Sequence, residues 1–189
     1  MASQFAVSET ETLVRGDELL AMGDIGRCEL VDGRLVRMSP TGYAHGCFEM
    51  NFGERIRSFV KQHDLGRVVV GEVGIFTARN PDSVRGADVA YISHDRLSRR
   101  RSPHGFLDVA PELIVEIMSP DDRWSEVMKK LDEYFRIGVL VIWVADPASR
   151  TVYAYRSITR VSAFGPADVL AADEVLPGFA VPVADLFQE

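Results

Sequence analysis

Cysteine is scarce in this chain. Of its 189 residues only Cys28 and Cys47 are cysteines, and neither belongs to a CxxC pair. That argues against a disulfide scaffold and against a structural zinc site, and makes a reduced, cytoplasmic setting the default. Long apolar runs are missing too. Nothing approaches the roughly 18 consecutive apolar residues of a membrane span, so no membrane partner is expected. The segment Met1–Glu11 lacks the basic start and apolar centre of a signal peptide. Positive charge is in short supply, with a formal net charge of −7, which disfavours broad, non-specific DNA binding. A local basic patch nevertheless stands at Arg96, Arg99, Arg100 and Arg101, followed by His104. Arg99, Arg100 and Arg101 are the first candidates for phosphate contacts.

What is present reads as one α/β domain over 1–189, with no repeat, low-complexity stretch or dividing linker. Ser8-Glu-Thr-Glu11 has the form of a capping box and predicts a short amphipathic helix with Leu13, Leu19 and Leu20. Cys28 to Met38 alternates around Asp32-Gly33 and predicts a β-hairpin. Phe48, Phe52, Ile56 and Phe59 recur at helical spacing, so His45 to His63 reads as a helix with His45 and Glu49 on its inner face. Arg67 to Ala78 is strand-like, broken by Gly71 and Gly74, and Arg79 to Arg85 is a turn-rich connection. Asp88 to Ile92 is a short strand, and Ser93 to Pro111 an irregular basic loop. Glu112 to Met118 is a central strand, and Ser119-Pro-Asp-Asp122 a helix start. The helix carries Trp124, Val127, Met128, Leu131, Tyr134 and Phe135 on one stripe and stops at Gly138. Val139 to Ala145 is a second central strand, so 112–145 is a βαβ unit. Arg150 to Arg156 pairs beside it, and 173–189 reads as edge structure. The sheet is therefore mixed, and an exposed strand edge leaves room for a homodimer.

Two acids interrupt the apolar strands. Glu116 lies in the middle of Pro-Glu-Leu-Ile-Val-Glu-Ile-Met-Ser-Pro, and Asp88 opens Asp-Val-Ala-Tyr-Ile. An ionised carboxylate in a buried strand costs several kcal/mol unless a cation or donor offsets it. If the two strands are neighbours, the carboxylates converge, and hard oxygen ligands favour Mg²⁺ or Mn²⁺. The simpler account pairs Glu116 with Arg85 or Arg123. On the helical wheel Lys130 lies at the edge of the buried stripe and can reach inward, whereas Lys129 faces solvent. Glu72 and Glu29 either line the same cleft or face solvent. His45, taken alone, reads more readily as a hydrogen-bonded core residue than as a catalyst.

The pattern resembles a known family. Glu29-Leu-Val-Asp-Gly33, Met38-Ser-Pro40, His45-Gly46, Asp88-Val-Ala-Tyr-Ile92, Glu116-Ile-Met-Ser-Pro120, Lys130-Leu-Asp-Glu-Tyr134, Trp143-Val-Ala-Asp-Pro147 and Leu176-Pro-Gly-Phe179 follow the order seen in the Uma-two type of putative restriction endonucleases. The likeness runs from about Thr12 to Phe187. It implies a PD-(D/E)XK nuclease-like fold, a mixed sheet flanked by helices, and Mg²⁺-dependent hydrolysis of phosphodiester bonds in nucleic acid, DNA first. It maps the metal acids onto Asp88 and Glu116, with the Ile117 carbonyl as a third ligand, and leaves Glu29, His45 and Glu72 to line the cleft. Two departures stand out. Ala87 replaces the proline usual before the aspartate, and Met118 occupies the usual lysine position. Related families move that lysine to the following helix, which makes Lys130 the matching residue. The rival expectation is a nuclease-fold protein without activity, serving as a binding or assembly module.

Overall fold

The computed structural model describes residues 13–102 and 104–189, so the Ser8–Glu11 capping box lies outside the described residues. The first helix, α1 (Gly16–Ala21), is capped by two other acids. Glu18 accepts from the Arg15 N–H at 2.7 Å, and Asp82 from the Gly16 N–H at 2.8 Å, which satisfies donors a helix start leaves over. The expected hairpin forms from β1 (Cys28–Val31) and β2 (Arg34–Arg37). Asp32 and Gly33 both take positive φ, +48° and +76°, as the two-residue turn that matches strand twist requires. Helix α2 (Tyr43–Gln62) follows and buries Phe48, Phe52, Ile56 and Val60.

Strand β3 (Gly66–Ala78) runs unbroken past Gly71 and Gly74, although glycine weakens a strand interior. It does so through a bulge: Val70 pairs with Val89 but Val73 with Ala87, so β3 carries an extra residue at that point. The partner, β4 (Ser83–Ser93), is longer than the expected short strand and absorbs the last three residues of the supposed connection, leaving 79–82 as the turn. Pairing along nearly all of β3 extends it. The segment expected to be an irregular loop holds a single helical turn, α3 (His94–Leu97), capped by the Ser93 hydroxyl accepting from the Arg96 N–H.

The βαβ unit is present as β5 (Leu113–Ile117), α4 (Trp124–Ile137) and β6 (Val141–Asp146), with β5 and β6 parallel. Helix α4 starts later than the Ser119 cap predicts. Asp122 turns back to accept from the Ser119 N–H at 2.8 Å, and its own N–H reaches the Ser119 carbonyl. Those four residues close on themselves as a turn, and Arg123 is still extended when the helix begins. Gly138 ends α4 at φ +99°, where a residue without Cβ is favoured. Strands β7 (Thr151–Ser157) and β8 (Arg160–Phe164) complete the main sheet. The tail is not edge structure. Strands β9 (Val169–Ala171) and β10 (Ala180–Pro182) form a separate pair, and α5 (Val183–Leu186) follows. Leu170, Leu176, Phe179, Leu186 and Phe187 are all buried, because apolar residues that look scattered in sequence converge on the α2 face.

The fold is thus mixed α/β: an eight-stranded sheet in the order β2-β1-β4-β5-β6-β7-β8, with β3 also on β4 and helices on both faces. Alternation along β5 divides the core. Leu113, Val115 and Ile117 face α2, Trp143, Phe179 and Phe187; Ile114 faces Leu131 and Tyr134 of α4, with Ile142 and Val144. Phe52 and Leu131 are wholly buried, and truncating either to alanine costs about 2–5 kcal/mol. Among the described residues no helix is long and apolar enough to cross a membrane.

One topological detail positions the site. With β3 along one edge of β4, the other edge is shared: β1 pairs at Val84 and β5 at Val89–Tyr91. Between these contacts the edge over Arg85–Asp88 is left to side chains.

Candidate active site

Side chains from five elements, β1, α2, β4, β5 and α4, converge on that gap. Continuing the register past Val89–Val115 sets Asp88 opposite Glu116 on the same face of the sheet. Asp88 is 5% exposed. Its Oδ2 accepts from the Ile117 N–H at 2.7 Å, so a side chain takes the place of a ladder acceptor, and Oδ1 lies 3.3 Å from His45 Nε2. Glu116 accepts from Lys130 Nζ at 2.7 Å and from the Tyr134 hydroxyl at 2.9 Å. Lys130 also approaches Glu29 Oε1, at 3.3 Å. Lys129, by contrast, is exposed and pairs with Glu126. The helical-wheel distinction between the two lysines therefore matches the structure.

The electrostatics follow from burial and pairing. Burial pushes the Glu116 carboxyl up to about 7 against the pull of Lys130, and Asp88 adds to the rise. Burial works against the Lys130 charge, but Glu116 and Glu29 outweigh it and hold the ammonium above its usual range. Burial would raise Glu29 as well; Lys130 and Arg85 keep it below the usual carboxylate range. The hydrogen bond with Asp88 raises His45, with burial opposing.

His45, Glu49 and Asp88 offer ligand atoms within 4.8 Å of one another, a spacing that suits one metal ion. Glu49 accepts from the Gly71 N–H at 2.5 Å, and the β3 bulge aims that N–H. Among the described residues His45 Nδ1 is buried without a hydrogen-bond partner, the kind of leftover polar atom that a folded interior rarely tolerates. Two carboxylates and an imidazole suit Mn²⁺, and Mg²⁺ with more solvent oxygens.

Most of these groups border one cleft of about 610 Å³, walled by residues 38–42, β4, β5 and the start of α4; Glu49 and Gly71 line a smaller adjoining pocket instead. Glu29, His45, Asp88, Glu116, Ile117 and Lys130 all line the larger cleft. Glu72 lines it too, but at φ +56° it turns to Arg27 in an ion pair and not to the acids. Arg99, Arg100 and Arg101 are not among the lining residues; Arg99 pairs with Asp95 on the surface. Neither Arg85 nor Arg123 takes Glu116, because Arg85 is engaged by Glu29 and Glu133. The sequence places Glu49 on the inner face beside His45 but leaves it open between a functional acid and a helix-edge acid that snorkels to solvent. Tyr134 and Glu133 stand in the Lys130-Leu-Asp-Glu-Tyr134 motif without a role of their own, and Arg27 carried no signal.

The molecule resembles the crystal structure of a putative nuclease belonging to DUF820 from Anabaena variabilis. The two are 22% identical, with a TM-score of 0.76, over 92% of this chain and 97% of that one. At that identity the likeness establishes the fold. No curated protein matches the sequence. Residues 17–184 match the family model of Uma2, described as a putative restriction endonuclease. With the match spanning nearly the whole length, from α1 to α5, the chain belongs to the Uma2 family.

Proposed function

We propose that this chain is a metal-dependent nuclease that hydrolyses phosphodiester bonds of DNA. The observation that carries the reading is the juxtaposition of Asp88, Glu116 and Lys130 at the gap in the sheet, with His45 and Glu49 beside Asp88. Membership of a family described as restriction endonucleases supports it, as does the likeness to the Anabaena nuclease fold. Asp88 is the shared residue. It would hold Mg²⁺ or Mn²⁺ with His45 and Glu49 on one side, and with Glu116 and the Ile117 carbonyl on the other. A divalent ion there supplies Lewis-acid polarisation of the scissile phosphate. Glu116, held in place by Lys130 and Tyr134, accepts a proton from the attacking water. The Lys130 ammonium orients Glu116 and steadies charge that develops on the phosphoryl oxygens. Burial of Asp88 and Glu116 strengthens each of these interactions.

Single-stranded DNA, duplex DNA and RNA incubated with Mg²⁺ or Mn²⁺ test the reading. Cleavage of DNA that EDTA stops and that Glu116→Ala removes is expected; unaltered cleavage by the variant ends the assignment. The rival is a binding module that retains the fold without cutting. Met118, where the superfamily carries lysine, favours it, and it requires Mn²⁺ binding without product from any of these substrates.

A further inference from the structure

Lys130 reaches the acids from a helix, not from the strand that carries Glu116. A lysine in place of Met118 would be held by the sheet itself. A helix can rotate and slide on the sheet it covers, so a lysine borne by α4 stays in place only if α4 does.

Glu29 and Arg85 tie α4 to the sheet. Glu29, on β1, is 6% exposed. Its Oε1 accepts from the Gly86 N–H at 2.9 Å and faces Lys130 Nζ, while Oε2 accepts from Arg85 Nη1 at 2.8 Å. Arg85 directs its remaining fork at Glu133, donating from Nε at 2.8 Å and from Nη2 at 2.5 Å. Glu133 sits one turn beyond Lys130 on α4, and the Thr77 hydroxyl of β3 donates to it at 2.8 Å. Four elements are joined through one guanidinium, whose planar fork fixes direction as well as distance. Burying two acids and a cation is a costly way to gain stability alone.

We infer that Glu29, Arg85 and Glu133 form a positioning clamp that sets the rotation and height of α4, so that the Lys130 ammonium rests between Glu29 and Glu116. None of the three acts on substrate. The clamp's effect on turnover rests on the nuclease reading above; its effect on Lys130 does not.

The lysines of this chain are Lys61, Lys129 and Lys130, which makes a direct readout available. In full-length protein labelled with ¹⁵N-lysine, a buried, ion-paired ammonium exchanges its protons slowly enough for its signal to persist at neutral pH, whereas exposed ammoniums lose theirs. One persistent signal is expected, absent from Lys130→Arg. Glu29→Gln keeps an acceptor for Gly86 but removes the charge. Arg85→Lys keeps the charge but removes the fork. In each, the ammonium protons exchange at least about tenfold faster while the backbone amide spectrum stays native. Turnover falls about 10–100-fold, the range of partners that orient a catalytic group, at unchanged KM. No persistent signal in the native chain, or an unchanged signal in both variants, overturns the clamp, as does native turnover in both. If the native chain cuts no nucleic acid, the nuclease reading falls and the ammonium signal alone decides for or against the clamp.

Discussion

On the α4 side of the cleft every carboxylate oxygen of Glu29 and Glu116 has a donor: Gly86, Arg85, Lys130 or Tyr134. On the α2 side, His45 meets Asp88 at a long 3.3 Å, its Nδ1 has no partner among the described residues, and Glu49 is held by one backbone N–H. The two sides face each other across the β4–β5 seam and are built to different standards of completeness. A fully partnered buried network rigidifies its neighbourhood, while leftover polar atoms mark the place where something else is to be bound. The α4 side is a finished network that holds Glu116 in place, and the α2 side keeps polar atoms to spare, with Asp88 between them.

The harshest way to break that division is Asp88→Ala, which strikes both sides. Mn²⁺ binding by isothermal titration is lost, and cleavage falls by more than the roughly 100-fold that orienting partners carry. Urea unfolding shows a further loss of about 1–3 kcal/mol, because the Ile117 N–H is left unsatisfied. Lys130→Met strikes the framework side alone. It lowers kcat about 100–1,000-fold, as loss of a preorganised charge does, while Mn²⁺ affinity by titration stays within a few-fold of native.

Titration separates the sides by sign. Glu116 has a folded pKa raised from 4.5 to about 7, so its ionisation opposes folding. Relative to Glu116→Gln, the metal-free chain loses stability as pH rises from 4.5 to 7, by on the order of 3 kcal/mol, measured as denaturation midpoints across pH. His45 is raised above 6.5 by Asp88. Its proton favours the fold below 6.5, and that contribution is lost as pH climbs through the folded value. Because a ligating imidazole must be neutral, Mn²⁺ affinity strengthens over the same climb, and His45→Gln flattens that profile. The smallest effect is reserved for the surface. Arg99→Ala removes an exposed pair with Asp95, shifts stability by less than about 0.5 kcal/mol, and leaves cleavage unchanged.

Local signals in the sequence were strong where one turn or one stripe decides structure. Asp32-Gly33 gave the hairpin its register, and the α4 stripe sorted Lys130 inward from Lys129 outward. Asp88 and Glu116 announced themselves because charge inside an apolar strand is anomalous by itself. The rest depended on which elements become neighbours. Glu49 gains meaning only when the β3 bulge brings Gly71 to it. The Arg85–Glu133 pair joins residues far apart in sequence, and the buried tail became visible only when Leu176 and Phe179 met Trp143. Ser119 misled because a good cap and a closed turn share the same residues, and Asp122 tipped the balance to the turn.

The side chain of Asp88 stands in for backbone in the β4–β5 ladder, and this has a consequence for descent. A lineage that stopped cutting nucleic acid would still need Asp88 to close the seam and Glu29 to seat α4, so both would outlive the activity. His45 and Glu49 close no seam of the main sheet and would be freer to drift. If the α2 side holds the metal, erosion there among relatives of this chain would mark retirement from catalysis, and persistence of the strand acids would record only that the fold endures.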